Sequence, residues 1–247
     1  MDRLLYVAMT GAAQTMAAQA SVAHNLANAS TTGFKAEMAA FQSIPVEGPG
    51  NPTRINAMSQ GLGADFSPGA ETSTGRDLDI AVRGQGWIAV QSPDGSEGYT
   101  RAGDLRIDAD GLLTTAAGLP VLGDGGPVTL PPYSKLDIGS DGSIALVPLG
   151  QGPTRVSSAG RIKLVNPDPA ALERSADGLM HLRDGAAADT DDSVQVAAGT
   201  LEASNVNPSE SLVRMIELSR QFEMQMQSIK NVDQNAQSAT RLLQATS

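Results

Sequence analysis

Residues 4–35 read LLYVAMTGAAQTMAAQASVAHNLANASTTGFK, and between Leu4 and Phe34 only His24 can take a charge near neutral pH. Leu5, Met9, Ala12, Met16, Gln19, Ala23 and Leu26 follow alternating four- and three-residue steps, the spacing of a heptad seam. The remaining faces are small and neutral. An exposed helix normally carries charge on its outer face, so this one is predicted to be surrounded by other helices, its small side chains letting neighbours come close. The helix is predicted to end near Asn28, where Ser30, Thr31 and Thr32 favour local side-chain bonding and Gly33 can take positive φ. Phe34 is then expected to fold back onto the helix.

The other end of the chain supplies a partner. Asn207-Pro208-Ser209-Glu210 is a helix start: Asn207 caps, Pro208 suits the first position, and Glu210 sits where a capping box places its acid. No Pro or Gly follows. Leu212, Met215, Phe222, Met226, Ile229, Ala236 and Leu243 keep a near-heptad spacing, interrupted at Ser219, Asp233 and Thr240. A helix over 208–244 would be roughly 55 Å long at 1.5 Å per residue, and alone in water it would not be stable.

Between the ends the sequence changes character. Asp-Gly recurs at 94–95, 110–111, 124–125, 141–142, 177–178 and 184–185, beside β-prone runs such as Ile88–Val90, Leu136–Ile138 and Ile162–Val165. That is hairpin chemistry. Residues 36–75 hold Pro45, Pro49, Pro52 and Pro68 and read as an extended connection. The chain carries a formal charge of −10, yet residues 1–35 sum to +1 and residues 208–247 to zero, which leaves −11 in the middle. The predicted fold class is therefore α+β, an all-β central domain flanked by N- and C-terminal helices that pair like a coiled coil. Its domains are 1–33 with 206–247 (helices), 34–75 (connection) and 76–205 (β).

Chemistry is hard to place on this chain. With no cysteine there is no disulfide, thiolate or cysteine-bound metal, and the acidic balance excludes nucleic acid as a partner. No apolar run reaches membrane-spanning length. Ala18-Gln19-Ala20 imitates a signal-peptide cleavage site, but Thr10, Gly11, Gln14 and Thr15 interrupt the apolar stretch it would need. Gly123-Asp124-Gly125-Gly126-Pro127 resembles a serine-protease motif without its serine. Asp108-Ala109-Asp110-Gly111 resembles part of a calcium loop whose first and twelfth positions would be Arg106 and Ala117, neither a carboxylate. His24 and His181 are the only histidines, and Gly84-Gln85-Gly86 lacks the rest of a dinucleotide fingerprint. No catalytic, cofactor-binding or metal-binding residue is assigned, and no cofactor is expected. An acidic-site hydrolase on the β domain would need carboxylates converging in space, and a secreted helical adhesin or export chaperone is a further alternative.

Asn25-Leu26-Ala27-Asn28-Ala29-Ser30-Thr31-Thr32-Gly33-Phe34-Lys35 resembles the amino-terminal signature of the flagellar rod and hook family. Leu201-Glu202-Ala203-Ser204-Asn205-Val206-Asn207-Pro208 is similar to that family's entry into its last helix. Glu97-Gly98-Tyr99-Thr100-Arg101-Ala102-Gly103, with Asp110–Leu113 and Gly118–Gly123 behind it, is a third match, and all three stand in the family's order. The opening Met1–Tyr6 and Arg220–Met226 are most similar to a proximal rod protein, with distal rod and hook-type axial proteins as the alternative. Asp104-Leu105 departs from relatives that place an aromatic there.

The resemblance implies a non-enzymatic subunit of the basal-body rod that transmits torque across the periplasm. Its terminal helices would line the export channel and its β domain would sit outside. It also implies delivery by the flagellar type III export apparatus without a cleaved signal peptide. Implied partners are other rod subunits, further copies of the chain and the surrounding basal-body rings, with no membrane insertion. The assembly interface is assigned to Leu5, Met9, Met16, Asn25, Leu26, Asn28, Gly33, Phe34, Leu212, Met215, Phe222, Met226 and Ile229.

Overall fold

The computed structural model describes residues 2–45, 55–150 and 155–245. Two long helices bracket a chain of antiparallel strands, the α+β arrangement predicted. The residues fall into two compact units. The first holds Met1–Asn28, Glu37–Gly63 and Val206–Ser247; the second holds Ala29–Ala36 and Ala64–Asn205.

In the helical unit, α1 spans Asp2–Ala27 and α2 spans Pro208–Ala245. Both ends form as their local chemistry dictates. The Asn28 amide side chain donates to the His24 carbonyl at 2.9 Å and closes α1. Asn207 Oδ1 accepts from the N–H groups of Ser209 and Glu210 at 3.1 and 3.3 Å and opens α2. The same unit holds a two-stranded ribbon of Glu37–Pro45 and Ile55–Ala64, where the sequence predicts only an extended connection. Pro49 and Pro52 lie outside the described residues, as do the side chains of Ala236 and Leu243.

The β unit is built around the strand Trp87–Gln91. It lies in a five-stranded antiparallel sheet, in the order Leu164–Val165, Trp87–Gln91, Glu97–Thr100, Met180–Leu182, Leu172–Arg174. Its side chains alternate between two cores, because successive residues of a strand face opposite ways. Ile88 and Val90 enter a large core with Ile80, Leu105, Leu113, Val121, Ile162 and Leu164, all fully buried. Trp87 and Ala89 enter a smaller one with Tyr99, Val165, Leu172 and Met180. Each large aliphatic side chain sealed this way contributes about 1.5–3 kcal/mol. A three-stranded sheet of Tyr133–Ile138, Ser143–Pro148 and Ser157–Arg161 adds Leu136, Ile138, Ile144 and Leu146 to the large core. Five of the six Asp-Gly pairs join paired strands: those at 94–95, 110–111, 124–125, 141–142 and 177–178. Asp184-Gly185 instead follows Met180–Leu182 as a turn.

Candidate functional site

In the β unit, three segments distant in sequence meet at one buried ionic cluster. Glu202 is 2% exposed and accepts from Lys35 Nζ at 2.6 Å, Arg101 Nη1 at 3.0 Å and the Gly69 N–H at 2.8 Å. The cluster has two cations for one carboxylate, so other acceptors must complete it. The Ser67 carbonyl takes Lys35 Nζ at 2.8 Å, and the Gly84 carbonyl takes Arg101 Nη2 at 2.7 Å. The Arg101 guanidinium also lies 5.5 Å from the centre of the Trp87 ring. Burial pushes the Glu202 carboxyl up. The hydrogen bonds from Lys35 and Gly69 and the two positive charges overcome that and leave it below the ordinary glutamate value. Burial likewise pulls Lys35 below the usual lysine range, against the opposing pull of Glu202.

Backbone packing around the cluster is equally close. Gly33 has φ +67°, and its N–H donates to the Glu202 carbonyl at 2.8 Å. A Cβ there would lie 2.2 Å from the Arg101 carbonyl carbon. The Phe34 ring lies under the Arg174 guanidinium at 4.7 Å, and its carbonyl accepts from the Asn205 N–H at 3.3 Å. Phe34 thus belongs to the β unit, where the sequence predicts it folding back onto α1. Asn205 Oδ1 accepts from the Ala36 N–H at 2.7 Å while its Nδ2 donates to the Asp65 carbonyl at 2.9 Å, tying two distant segments of the chain together.

In the helical unit, Asn25 does for the ribbon what a neighbouring strand would do. Its Nδ2 donates to the Glu37 carbonyl at 2.9 Å and its Oδ1 accepts from the Glu37 N–H at 2.8 Å. His24 Nδ1 sits 3.0 Å from Glu37 Oε1. The two helices pack along a seam in which Ala12, Thr15 and Ala18 are buried on α1 and Leu218 on α2. Half-buried Leu5, Ala8, Gln19, Val22 and Leu26 continue the α1 row, and Met215, Phe222, Gln225, Ile229 and Val232 the α2 row.

The phase of that seam differs from the one predicted. Leu5, Ala12, Gln19 and Leu26 face inward as expected, but Ala8, Thr15 and Val22 take the alternating positions expected of Met9, Met16 and Ala23. Met9 and Met16 are 55% and 56% exposed. The reason lies in the composition: from Leu4 to Ala23 the helix carries no charge, so a row of uncharged, mostly apolar residues exists in either phase and periodicity alone does not choose between them. On α2, Met215, Phe222 and Ile229 lie inward, Leu212 is 49% exposed and Met226 is 37% exposed. Leu218, the most buried of the described side chains of α2, is absent from the predicted row.

Lys35, Arg101, Glu202 and Asn205 lie within the three family signatures but are not among the residues picked out from sequence as a site. Their partners stand 101 to 169 positions away, so no local spacing reveals the pairing. A usable signal did exist. Lys35 and Glu202 each stand alone, with no opposite charge three or four residues away, and Lys35 is one of only four lysines in the chain.

Comparison with known proteins follows the same three segments. A family model described as flagella basal body rod protein matches residues 5–35. One described as flagellar hook protein FlgE/F/G D1 domain matches 81–146, and one described as flagellar basal body rod FlgEFG protein C-terminal matches 197–242. The flagellar basal-body rod protein FlgF of Salmonella typhimurium is 43% identical over 98% of this chain and 99% of its own length. That of Escherichia coli is 42% identical over the same shares, and that of Buchnera aphidicola is 32% identical over 98% of each chain. These relatives are structural proteins of the rod, and the chain is likewise a structural subunit and not an enzyme. With identity of this level along nearly the whole length, and with the signatures meeting at one folded cluster, this chain belongs to the flagellar basal-body rod protein FlgF family.

Proposed function

We propose that this rod subunit is held in its assembly by the outward face of α1, which receives a helix of a neighbouring subunit. One observation carries the reading. Tyr6, Met9, Ala13, Met16, Ala20, Ala23 and Ala27 form a second apolar row at strict three- and four-residue steps, and every one of them is exposed. Tyr6 is 69% exposed, and the large apolar side chains Val213, Ile216 and Met224 of α2 are more than half exposed as well. Apolar surface of this regularity on a long helix is the mark of a helix-binding face. The residues assigned from sequence to the interface divide accordingly: Met9, Met16, Leu212 and Met226 meet neighbours, while Leu5, Leu26, Met215, Phe222 and Ile229 hold α1 and α2 together. Asn25, Asn28, Gly33 and Phe34 shape the two units from which those contacts are made.

The chain in this reading occupies the proximal rod, beside other rod subunits and the surrounding basal-body rings, with α1 and α2 around the export channel. It is delivered by the flagellar export apparatus and keeps its amino-terminal helix. No helix among the described residues is long and apolar enough to cross a membrane. Met9→Glu combined with Met16→Glu tests the outward face. Both side chains are exposed, so the purified chain should keep its helix content and thermal midpoint while rod assembly and motility are lost. Normal motility of the double variant would remove the outward face as an assembly surface.

A further inference from the structure

We infer that Gln225, Thr15 and Gly11 form a polar layer that sets the register in which α1 takes its own α2. The seam positions of α2 run Ser211, Met215, Leu218, Phe222, Gln225, Ile229 and Val232, all buried or half-buried, and Gln225 is the one long polar side chain among them. Its partners on α1 lie at the same level. Thr15 is the most buried of the described side chains of α1 at 1% exposure, and its hydroxyl donates to the Gly11 carbonyl at 2.9 Å. The same Oγ1 lies 3.3 Å from Gln225 Oε1. Gly11 supplies the room: a Cβ there would come within 3.2 Å of Gln225 Nε2.

Each of these three residues weakens the pairing on its own. Glycine inside a helix is entropically unfavourable, and a threonine and a glutamine in an apolar seam forgo hydrophobic burial. That they coincide at one level is explained by specificity. Elsewhere the seam of α1 is made of Ala, Val, Leu and a Gln, side chains too small and uniform to oppose sliding. A slip of one heptad in either direction would bring Gln225 against Ala8 or Val22, which offer no hydrogen bond, and would set Leu218 or Val232 against Thr15. A half-buried amide that loses its partner opposes both slips, as a single polar residue does in helical seams generally.

The inference rests on the proposed assembly reading for its consequence, since a slipped α2 would misplace the apolar face offered to neighbours. The register itself is a property of the isolated chain, so a failure here leaves that reading standing.

The chain has no cysteine, so Ala13→Cys with Glu223→Cys places two spin labels at exposed positions on α1 and α2. The full-length labelled chain should show one narrow distance. Adding Gln225→Leu should leave the helical melting midpoint equal or higher while a second distance population appears, from an axial slip of about 10 Å for seven residues. Thr15→Val should produce the same second population if the leucine variant does not fold. A single unchanged distance in a folded Gln225→Leu chain would overturn the proposal, as would several distances in the parent. Loss of helix signal in both variants would reduce the layer to a packing contact and overturn it equally.

Discussion

The helical unit and the β unit differ in how completely each satisfies its own side chains. In the β unit, Ile80, Ile88, Val90, Leu105, Leu113, Val121, Ile162 and Leu164 have no exposed surface, and even three charges are sealed together. In the helical unit, the most buried side chains of α1 are Ala12, Thr15 and Ala18, while Tyr6, Met9 and Met16 stand in solvent. The charge follows the same division, with −11 carried between residues 35 and 208 and nearly none at the ends. One unit is finished as a folded object and spends its polar surface on water. The other leaves a regular apolar row exposed along α1, the surface proposed above to meet neighbouring subunits. The sole tryptophan, Trp87, is buried in the β unit, so its fluorescence reports that unit while helical circular dichroism reports the other.

The largest way to break this contrast is Glu202→Ala. It leaves Lys35 and Arg101 buried without their anion, a loss of about 3–5 kcal/mol by the measure of other buried ion pairs. Trp87 fluorescence should unfold at a much lower temperature, with the helical signal less affected. Replacing all three charges together, with Lys35→Met, Arg101→Met and Glu202→Leu, should cost far less, because the desolvation penalty disappears with the charges. If Glu202→Ala left the tryptophan transition in place, the cluster would not be what closes the β unit.

Much of the β unit was legible in advance, and the cluster that closes it was not. Asp-Gly pairs announce hairpins because the glycine takes positive φ without strain, as Gly95, Gly111, Gly142 and Gly178 do here. Pro208 and Asn207 announce α2 because capping is a local hydrogen bond. The Lys35–Glu202 pair spans 167 residues, and only folding brings it together. The phase of α1 escaped for a different reason. Seven uncharged residues stand at either alternation, and the face that packs on α2 is the one where Gln225 lies beside Gly11. Hydrophobic periodicity locates a helix more readily than it orients one whose faces are nearly alike.

A middle-sized effect separates the two demands on Gly33. Gly33→Val faces the strain of a β-branched residue at φ +67°, about 1–3 kcal/mol, and in addition a clash with the Arg101 backbone. Gly75 has φ +70° with nothing within 4 Å of a Cβ, so Gly75→Val isolates the strain alone. The tryptophan transition should fall clearly further in the first variant than in the second. Equal falls would mean that the close approach of residue 33 to Arg101 relaxes at no cost and that the signature glycine serves only its own φ.

The smallest effect is the acid response of the β unit, and its sign follows from Glu202. Its carboxyl titrates below the ordinary 4.5 because the bonds from Lys35 and Gly69 and the charges of Arg101 and Lys35 outweigh its burial. A group depressed in the folded state contributes stability that is fully present above its unfolded value and is lost as the pH falls through the folded one. The exposed carboxylates of Asp94 and Asp141, lowered by the hydroxyls of Ser96 and Ser143, act in the same direction but more weakly, since solvent screens them. The midpoint followed by Trp87 should therefore hold steady down to about pH 5 and decline below it. Glu202→Gln should start lower and decline less steeply, because the remaining slope belongs to the surface aspartates. Parallel declines in the two chains would assign the acid response to those turns and would leave the buried cluster without a protonation signature of its own.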